Sequence, residues 1–305
     1  MGYDKAIEAH KKAILLNPQD FVLHTEYGYF LRESQQPELA IASYNKALQL
    51  NPNHSWVYNN RDVAYYDLGE YDIAIANYTK AIELKPYNIE AYSNRGAVYD
   101  DLQQYQKALS DYSKAIELNP NYGGAYSNRG LTYSNLNQYD NALFDYQQAI
   151  AIDSQHTQAY LNRGIIYAQS GQYDRALEDW NKVIQIDPQA VKAYRNLGRT
   201  YQILQQYDRA IAYYDKAIQI DPQLVENYSD RGSIYNLLQQ YQAAKKDYTQ
   251  AINLDPQLAL AYKERAFIHL ALQDIISYQK DLEQAATLFK EQGKTAEYQR
   301  IQGLF

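Results

Sequence analysis

Apolar and small side chains return along this chain at steps of three and four, in blocks separated by short polar stretches such as Asp67-Leu68-Gly69-Glu70. That spacing predicts amphipathic helices joined by tight connections. The blocks themselves recur. Pro18, Pro52, Pro86, Pro120, Pro188, Pro222 and Pro256 stand at multiples of 34 residues from one another, and the one vacant mark holds Ser154. A fixed period of roughly 20–50 residues signals a solenoid of repeated supersecondary units.

Counting repeats from residue 21 aligns the columns. The fourth position holds Tyr58, Tyr92, Tyr126, Tyr160, Tyr194, Tyr228 and Tyr262, with His24 in the first unit. The eleventh and seventeenth are tyrosine in most units, which accounts for much of the excess of 34 Tyr over 6 Phe. The twenty-fourth holds Tyr44, Tyr78, Tyr112, Tyr146, Trp180, Tyr214 and Tyr248. Gly28, Gly96, Gly130, Gly164, Gly198 and Gly232 occupy the eighth position, and Ala40, Ala74, Ala108, Ala142, Ala176, Ala210 and Ala244 the twentieth. Steps of 4, 8, 11 and 20, 24, 27 describe two helix faces, with small residues where backbones cross and rings filling the space opposite. Each unit therefore reads as an antiparallel helical hairpin. The lattice proline is expected to end the second helix or open the next.

These columns resemble the tetratricopeptide repeat. The resemblance implies an all-α, right-handed superhelical solenoid of antiparallel helix pairs. It covers eight repeats: 21–54, 55–88, 89–122, 123–156, 157–190, 191–224, 225–258 and 259–292. Residues 1–20 read as the second helix of a truncated repeat, through Tyr3, Ala6, His10, Ala13 and Pro18. The chain is therefore expected to be a piece of a longer protein. In the eighth repeat Ile275, Tyr278 and Leu282 depart from the columns. Residues 293–305 read as a capping helix with Ala296, Tyr298, Ile301 and Leu304 on its apolar side, as terminal repeats require.

Comparison between repeats predicts a contact. Position seven is Arg95, Arg129, Arg163, Arg231 and Arg265, and sixteen residues on stand Asp111, Asp145, Asp179, Asp247 and Asp281. Arg61 faces Asn77, and the two repeats without Arg carry Tyr27 with Ser43 and Leu197 with Tyr213. Covarying positions suggest touching side chains, here a partly buried ion pair in each hairpin.

Charge and composition narrow the function. The net charge of −7 argues against nucleic acid, whose phosphates call for clustered Lys and Arg. With no cysteine there is no disulfide or thiolate metal site, and the five scattered histidines lack metal-binding spacing. Phosphate loops and nucleophile elbows are missing too. No catalytic residue, cofactor or metal is expected, so the chain reads as a non-enzyme. No apolar run reaches the roughly 20 residues of a membrane span, and no secretory leader stands at the N-terminus, so a cytoplasmic setting without membrane insertion is expected.

The resemblance assigns the concave face to the first helices. On it lie three zones. Asn60, Asn94, Asn128, Asn162 and Asn196 form a ladder at position six, able to donate to and accept from an extended peptide backbone, or else to satisfy neighbouring helices. A similar ladder serves peptide binding in O-linked N-acetylglucosamine transferases. Leu131, Leu161 and Ile165 form an apolar patch. Lys192, Arg195 and Arg199 form a basic cluster suited to an acidic partner, beside Glu226, Asp230 and Glu264 of the next repeats. Trp56, Tyr66 and Tyr29 are candidate aromatic anchors. The carboxylate clamp of some chaperone adaptors is absent: Thr25, Tyr29 and Glu90 surround Asn60 where Lys, Asn and Lys are required. The reading is a protein-interaction scaffold taking a peptide segment in its groove. The alternatives are a substrate-recruiting accessory domain of an enzyme, or a module that self-associates through its N-terminal face.

Overall fold

The computed structural model describes residues 3–304, so Met1, Gly2 and Phe305 at the two ends lie outside the described residues. Within them every element is an α-helix. α1 spans Asp4–Leu16. Pairs follow: α2 Phe21–Glu33 with α3 Pro37–Leu50, α4 Ser55–Asp67 with α5 Tyr71–Leu84, α6 Ile89–Asp101 with α7 Tyr105–Leu118, and α8 Gly123–Asn135 with α9 Tyr139–Ile152. Next come α10 Thr157–Gln169 and α11 Tyr173–Ile186, α12 Val191–Ile203 and α13 Tyr207–Ile220, α14 Val225–Leu237 and α15 Tyr241–Leu254, α16 Ala259–Ala271 and α17 Ile275–Glu291, and finally α18 Thr295–Gln302. The chain divides into two units, Met1–Asn162 and Arg163–Phe305. Inside each, the first helix of a repeat packs on its second helix, and that helix on the next repeat. The result is a helical-repeat solenoid.

The loops have local causes. After most second helices an Asn or Asp precedes the lattice proline (Lys85 is the exception), and from Asn119 onward its side chain accepts from the backbone two residues on: Asp187 Oδ1 accepts from Gln189 N at 2.9 Å. Asp153 does the same for Gln155 N at 2.9 Å although Ser154 replaces the proline, so the turn survives the substitution. The lattice proline thus follows the second helix. It is the off-lattice Pro37 that opens one, at the start of α3, where its missing N–H costs nothing. The shorter loops place Gln35, Gln103, Asn137, Gln205, Gln239 and Gln273 at φ between 57° and 60°, a position held by Gly69 and Gly171 in the second and fifth repeats.

The core follows the columns. The alanines at position twenty are fully buried, as are most of the large rings at position twenty-four. Those rings lie directly on the position-eight glycines: a Cβ on Gly130 would sit 2.9 Å from Tyr146 Cε1, and one on Gly164 would sit 2.6 Å from Trp180 Nε1. Glycine here is a requirement of close approach rather than of loop geometry. At the C-terminal end, Leu282 takes the ring's place opposite Ala266 and is fully buried. Of the apolar residues assigned to the cap, Ile301 is buried and Tyr298 half-buried against α17, whereas Ala296 and Leu304 are exposed.

The Arg–Asp pairs form, and they reach further than the sequence indicated. Arg95 donates from Nε and Nη2 to Asp111 at 2.7 and 2.8 Å, and the same fork recurs at Arg129–Asp145, Arg163–Asp179, Arg231–Asp247 and Arg265–Asp281. The remaining amino group crosses to the preceding repeat: Arg95 Nη1 reaches Thr79 Oγ1 at 2.9 Å, Arg129 Nη1 reaches Ser113 Oγ at 3.0 Å, and Arg231 Nη1 reaches Asp215. One guanidinium therefore ties three helices. It also lies between two rings of its own helix, as Arg129 does between Tyr126 and Tyr133 at 5.6 and 5.9 Å. Burial pushes the Asp179 and Asp247 carboxyls up from the ordinary range, against the pull of Arg163 and Arg231.

Candidate functional site

The first helices put positions two, five, six, nine and thirteen on one side of each repeat, and the structure sorts the expected site residues along it. The asparagine ladder is not a uniform row. Asn60 is buried and donates to the Trp56 carbonyl at 2.9 Å, one turn back in its own helix. Asn94 donates to Asn59 Oδ1 at 3.3 Å, and Asn162 accepts from Gln158 at 2.9 Å. These three satisfy the chain's own groups, the second of the two roles open to the ladder. Asn128 is exposed and Asn196 half-buried, and neither side chain bonds to protein among the described residues.

Within the first unit, Leu131 is exposed and Leu161 half-buried; Ile165, in the second unit, is exposed. Trp56 is exposed over a small hollow of about 270 Å³ with Tyr87, Ile89 and Glu90. Tyr66 is half-buried and donates its hydroxyl to Asp101, so its polar end is already engaged.

The basic cluster changes character most. Asp230 of α14 faces α12, and Arg195 Nε and Arg199 Nε both donate to its Oδ2 at 3.0 Å. Arg195 also lies 3.8 Å from Glu226. The two guanidiniums are thus held inside the chain, and Lys192 stays apart on the exposed surface. Of the three cations expected to meet an acidic partner, two therefore already share a carboxylate of the chain. Arg199 remains half exposed.

Around this cluster the second unit opens a groove of about 730 Å³. Arg195, Arg199 and Gln202 of α12 form one wall, Glu226, Ser229, Asp230, Ser233 and Leu237 of α14 the middle, and Leu258, Leu260 and Glu264 the far side. Leu237 is 60% exposed and Leu260 is 51% exposed. Neither was singled out from the sequence. A partial signal existed: Leu237 stands in a column that is polar from Glu33 to Gln169 and then holds Ile203, and Leu260 in one that holds Glu90, Gln158, Lys192 and Glu226 but also Val22, Trp56 and Gly124. An apolar residue in a column of polar ones faces solvent for a reason other than the core. The lining carries Glu226, Asp230, Asp255 and Glu264 against Arg195 and Arg199, so its carboxylates outnumber its guanidiniums. Among the described residues no group of three or more His, Asp or Glu converges as metal donors, and no helix is long and apolar enough to cross a membrane.

Family models place the chain. Models described as "Tetratricopeptide repeat" match residues 23–54, 89–122, 124–156, 145–178, 191–224 and 225–258, and one described as "TPR repeat" matches 63–103 and 164–204. Among solved structures, a tetratricopeptide repeat protein from Parabacteroides merdae is 23% identical with a TM-score of 0.60, over 81% of this chain and 98% of its own. PilF of Pseudomonas aeruginosa is 18% identical with a TM-score of 0.62, over 71% and 97%. The APC/C hetero-tetramer Cut9–Hcn1 is 17% identical with a TM-score of 0.61, over 98% and 59%. At these identities the likeness is one of fold. No curated protein matches the sequence. By its repeat columns, its paired helices and these matches, the chain belongs to the tetratricopeptide-repeat family, whose repeats build protein–protein interaction scaffolds.

Proposed function

We propose that the chain is a non-catalytic scaffold that takes a peptide segment of a partner protein along its first-helix face, and that the segment seats in the groove of the sixth to eighth repeats. The observation that carries this is the pairing of Leu237 and Leu260, both more than half exposed, with the Arg195–Asp230–Arg199 cluster in one hollow. Apolar side chains held in water beside oriented charges give a bound segment both burial and register.

The charge balance refines the partner. An acidic segment, the expectation from Lys192, Arg195 and Arg199, has to displace Asp230 from Arg199. A segment with apolar side chains and a basic residue meets Glu226 and Glu264 without that displacement. Asn128 and Asn196, whose amides are open, are available to a peptide backbone that continues along either unit.

The test is selection from a displayed peptide library on the wild-type chain, with Leu237→Asp/Leu260→Asp and Arg199→Ala variants checked for unchanged helicity. Selected peptides should be apolar and basic, and should bind the leucine variant at least tenfold more weakly. Equal binding to the folded leucine variant would remove the groove from the reading.

Self-association is a second reading with its own observation: Leu15 and Leu16 of α1 are 77% and 89% exposed. Light scattering across a concentration series separates it, because a strict monomer excludes it.

A further inference from the structure

The second helices of the seventh and eighth repeats depart from the chain's own pattern. Position twenty-one is Ile41, Ile75, Leu109, Leu143, Leu177 and Ile211 in the first six repeats, and Lys245 in the seventh. Position twenty-two is Ala42, Ala76, Ser110, Phe144, Glu178 and Ala212, and then Lys246 and Lys280. In five of the first six repeats a lysine sits instead at position twenty-six: Lys46, Lys80, Lys114, Lys182 and Lys216. There Lys80 and Lys114 are neutralised one turn on by Glu83 and Glu117, at 3.1 and 2.7 Å. In the last two repeats that lysine is Gln250 and Gln284, and the glutamate is Asn253 and Thr287. Lysine has moved to positions twenty-one and twenty-two, away from the place where the second and third repeats supply a carboxylate.

The moved lysines gather. Lys245 and Lys246 of α15 line a hollow of about 680 Å³, and Lys245 and Thr249 also line an adjoining one of about 500 Å³ together with Lys280 of α17.

 The two hollows that share Lys245 and Thr249 thus form one trough on the second-helix face of the second unit.

The trough's carboxylates are already taken. Asp247 and Asp281 are gripped by Arg231 and Arg265 through two hydrogen bonds each and are almost fully buried. Asp274 feels the charge of Lys245 but makes no ion pair with it; its oxygens serve the Ser277 N–H and His269. Among the described residues three ammonium groups therefore remain without a carboxylate partner, in a chain of net charge −7. The rest of the lining is mainly hydroxyl and amide groups, including Thr249, Gln250 and Gln284. Thr249 Oγ1 accepts from Arg265 at 3.2 Å, which leaves its own proton to donate.

From this arrangement we infer that Lys245, Lys246 and Lys280, with Thr249, form a binding site for a phosphoryl group carried by a phosphorylated side chain of a partner protein. A phosphoryl group brings up to two negative charges and three strong acceptor oxygens, which match clustered ammonium and hydroxyl donors. No aliphatic residue lines the trough, so its ligand is recognised by charge and hydrogen bonds. This site is separate from the first-helix groove and does not depend on it.

The test passes two degenerate peptide libraries over the immobilised full chain, one with a fixed phosphoserine and one with serine at that place. Inorganic phosphate and a single-stranded oligonucleotide are titrated separately. The variant Lys245→Ile/Lys246→Ala/Lys280→Ala returns these positions to the residues of the sixth repeat, so it should fold. A Lys→Gln triple variant provides a second check. The phosphoserine library should be retained at least tenfold over the serine library, and both triple variants should lose that preference. Leu237→Asp/Leu260→Asp should keep it. Inorganic phosphate binding as tightly as the phosphopeptides would leave the anion site standing and overturn the partner segment as its source. Equal retention of the two libraries, retention unchanged in the folded variants, or tighter binding of the oligonucleotide would overturn the proposal.

Discussion

The ring of Tyr213 lies parallel to that of Tyr201, with centroids 5.4 Å apart and planes within 3°. It also meets Tyr194, at 6.4 Å. At Arg95, Arg129 and Arg231, each in an Arg–Asp pair, the guanidinium lies against the tyrosines of these same two columns. The sixth repeat has exchanged the pair for Leu197 and Tyr213, and an aromatic ring has taken the cation's place. Two solutions, one ionic and one apolar, thus fill the same gap between helices.

Breaking one pair should cost more than replacing it. Arg129→Leu leaves Asp145 buried without its counter-charge, an expected loss of about 3–5 kcal/mol. Arg129→Leu/Asp145→Tyr copies the sixth repeat and should recover most of that loss. Urea unfolding of wild type, single and double variants checks this. A double variant as unstable as Arg129→Leu would show that the ring solution depends on its own repeat.

Asp62 stands in the glycine column, fully buried, and its carboxyl oxygens have no hydrogen-bond partner. Burial pushes its pKa up to about 9, against the pull of Arg61. The folded state therefore holds a proton that the unfolded chain releases near pH 4. Stability is expected to fall as pH rises from about 4 to about 9 and to level off above. Asp62→Ala should remove that slope and raise stability at pH 7 by about 1–3 kcal/mol. Parallel slopes for the two proteins across this range would contradict it.

Gln103 sits at φ 57°, where Gly69 and Gly171 stand in other repeats. A side chain in this region costs roughly 1–2 kcal/mol, and glycine's extra chain entropy offsets part of the relief. Gln103→Gly should therefore stabilise by about 0.5–1 kcal/mol, read as a higher urea midpoint.

The glycine column is not equally tight. Gly130→Ala puts a methyl 2.9 Å from Tyr146 and 3.3 Å from the Ala142 carbonyl, and should cost about 1–3 kcal/mol. At Gly232 the nearest atom is 3.3 Å away, on the Asp247 side chain, and the gain in helix propensity should bring Gly232→Ala close to neutral. Equal losses at the two sites would show that ring proximity does not set the cost.

The sequence by itself determined the helical hairpins, their small-residue crossings and the Arg–Asp contact, because each repeats at a fixed interval and a period carries its own geometry. The position-seven arginine and its aspartate covary within one chain, so even a tertiary contact was legible. What only the tertiary structure decided is how neighbouring repeats meet. Arg95 reaching Thr79, Asp230 closing on Arg195 and Arg199, and Asn94 turning to Asn59 all join one repeat to the next. These contacts depend on how far one hairpin is rotated on another, a quantity that no column records. The exposed leucines of the groove and the lysines of the trough fall between the two cases. Their columns showed them as departures, and only packing showed which departures share a surface.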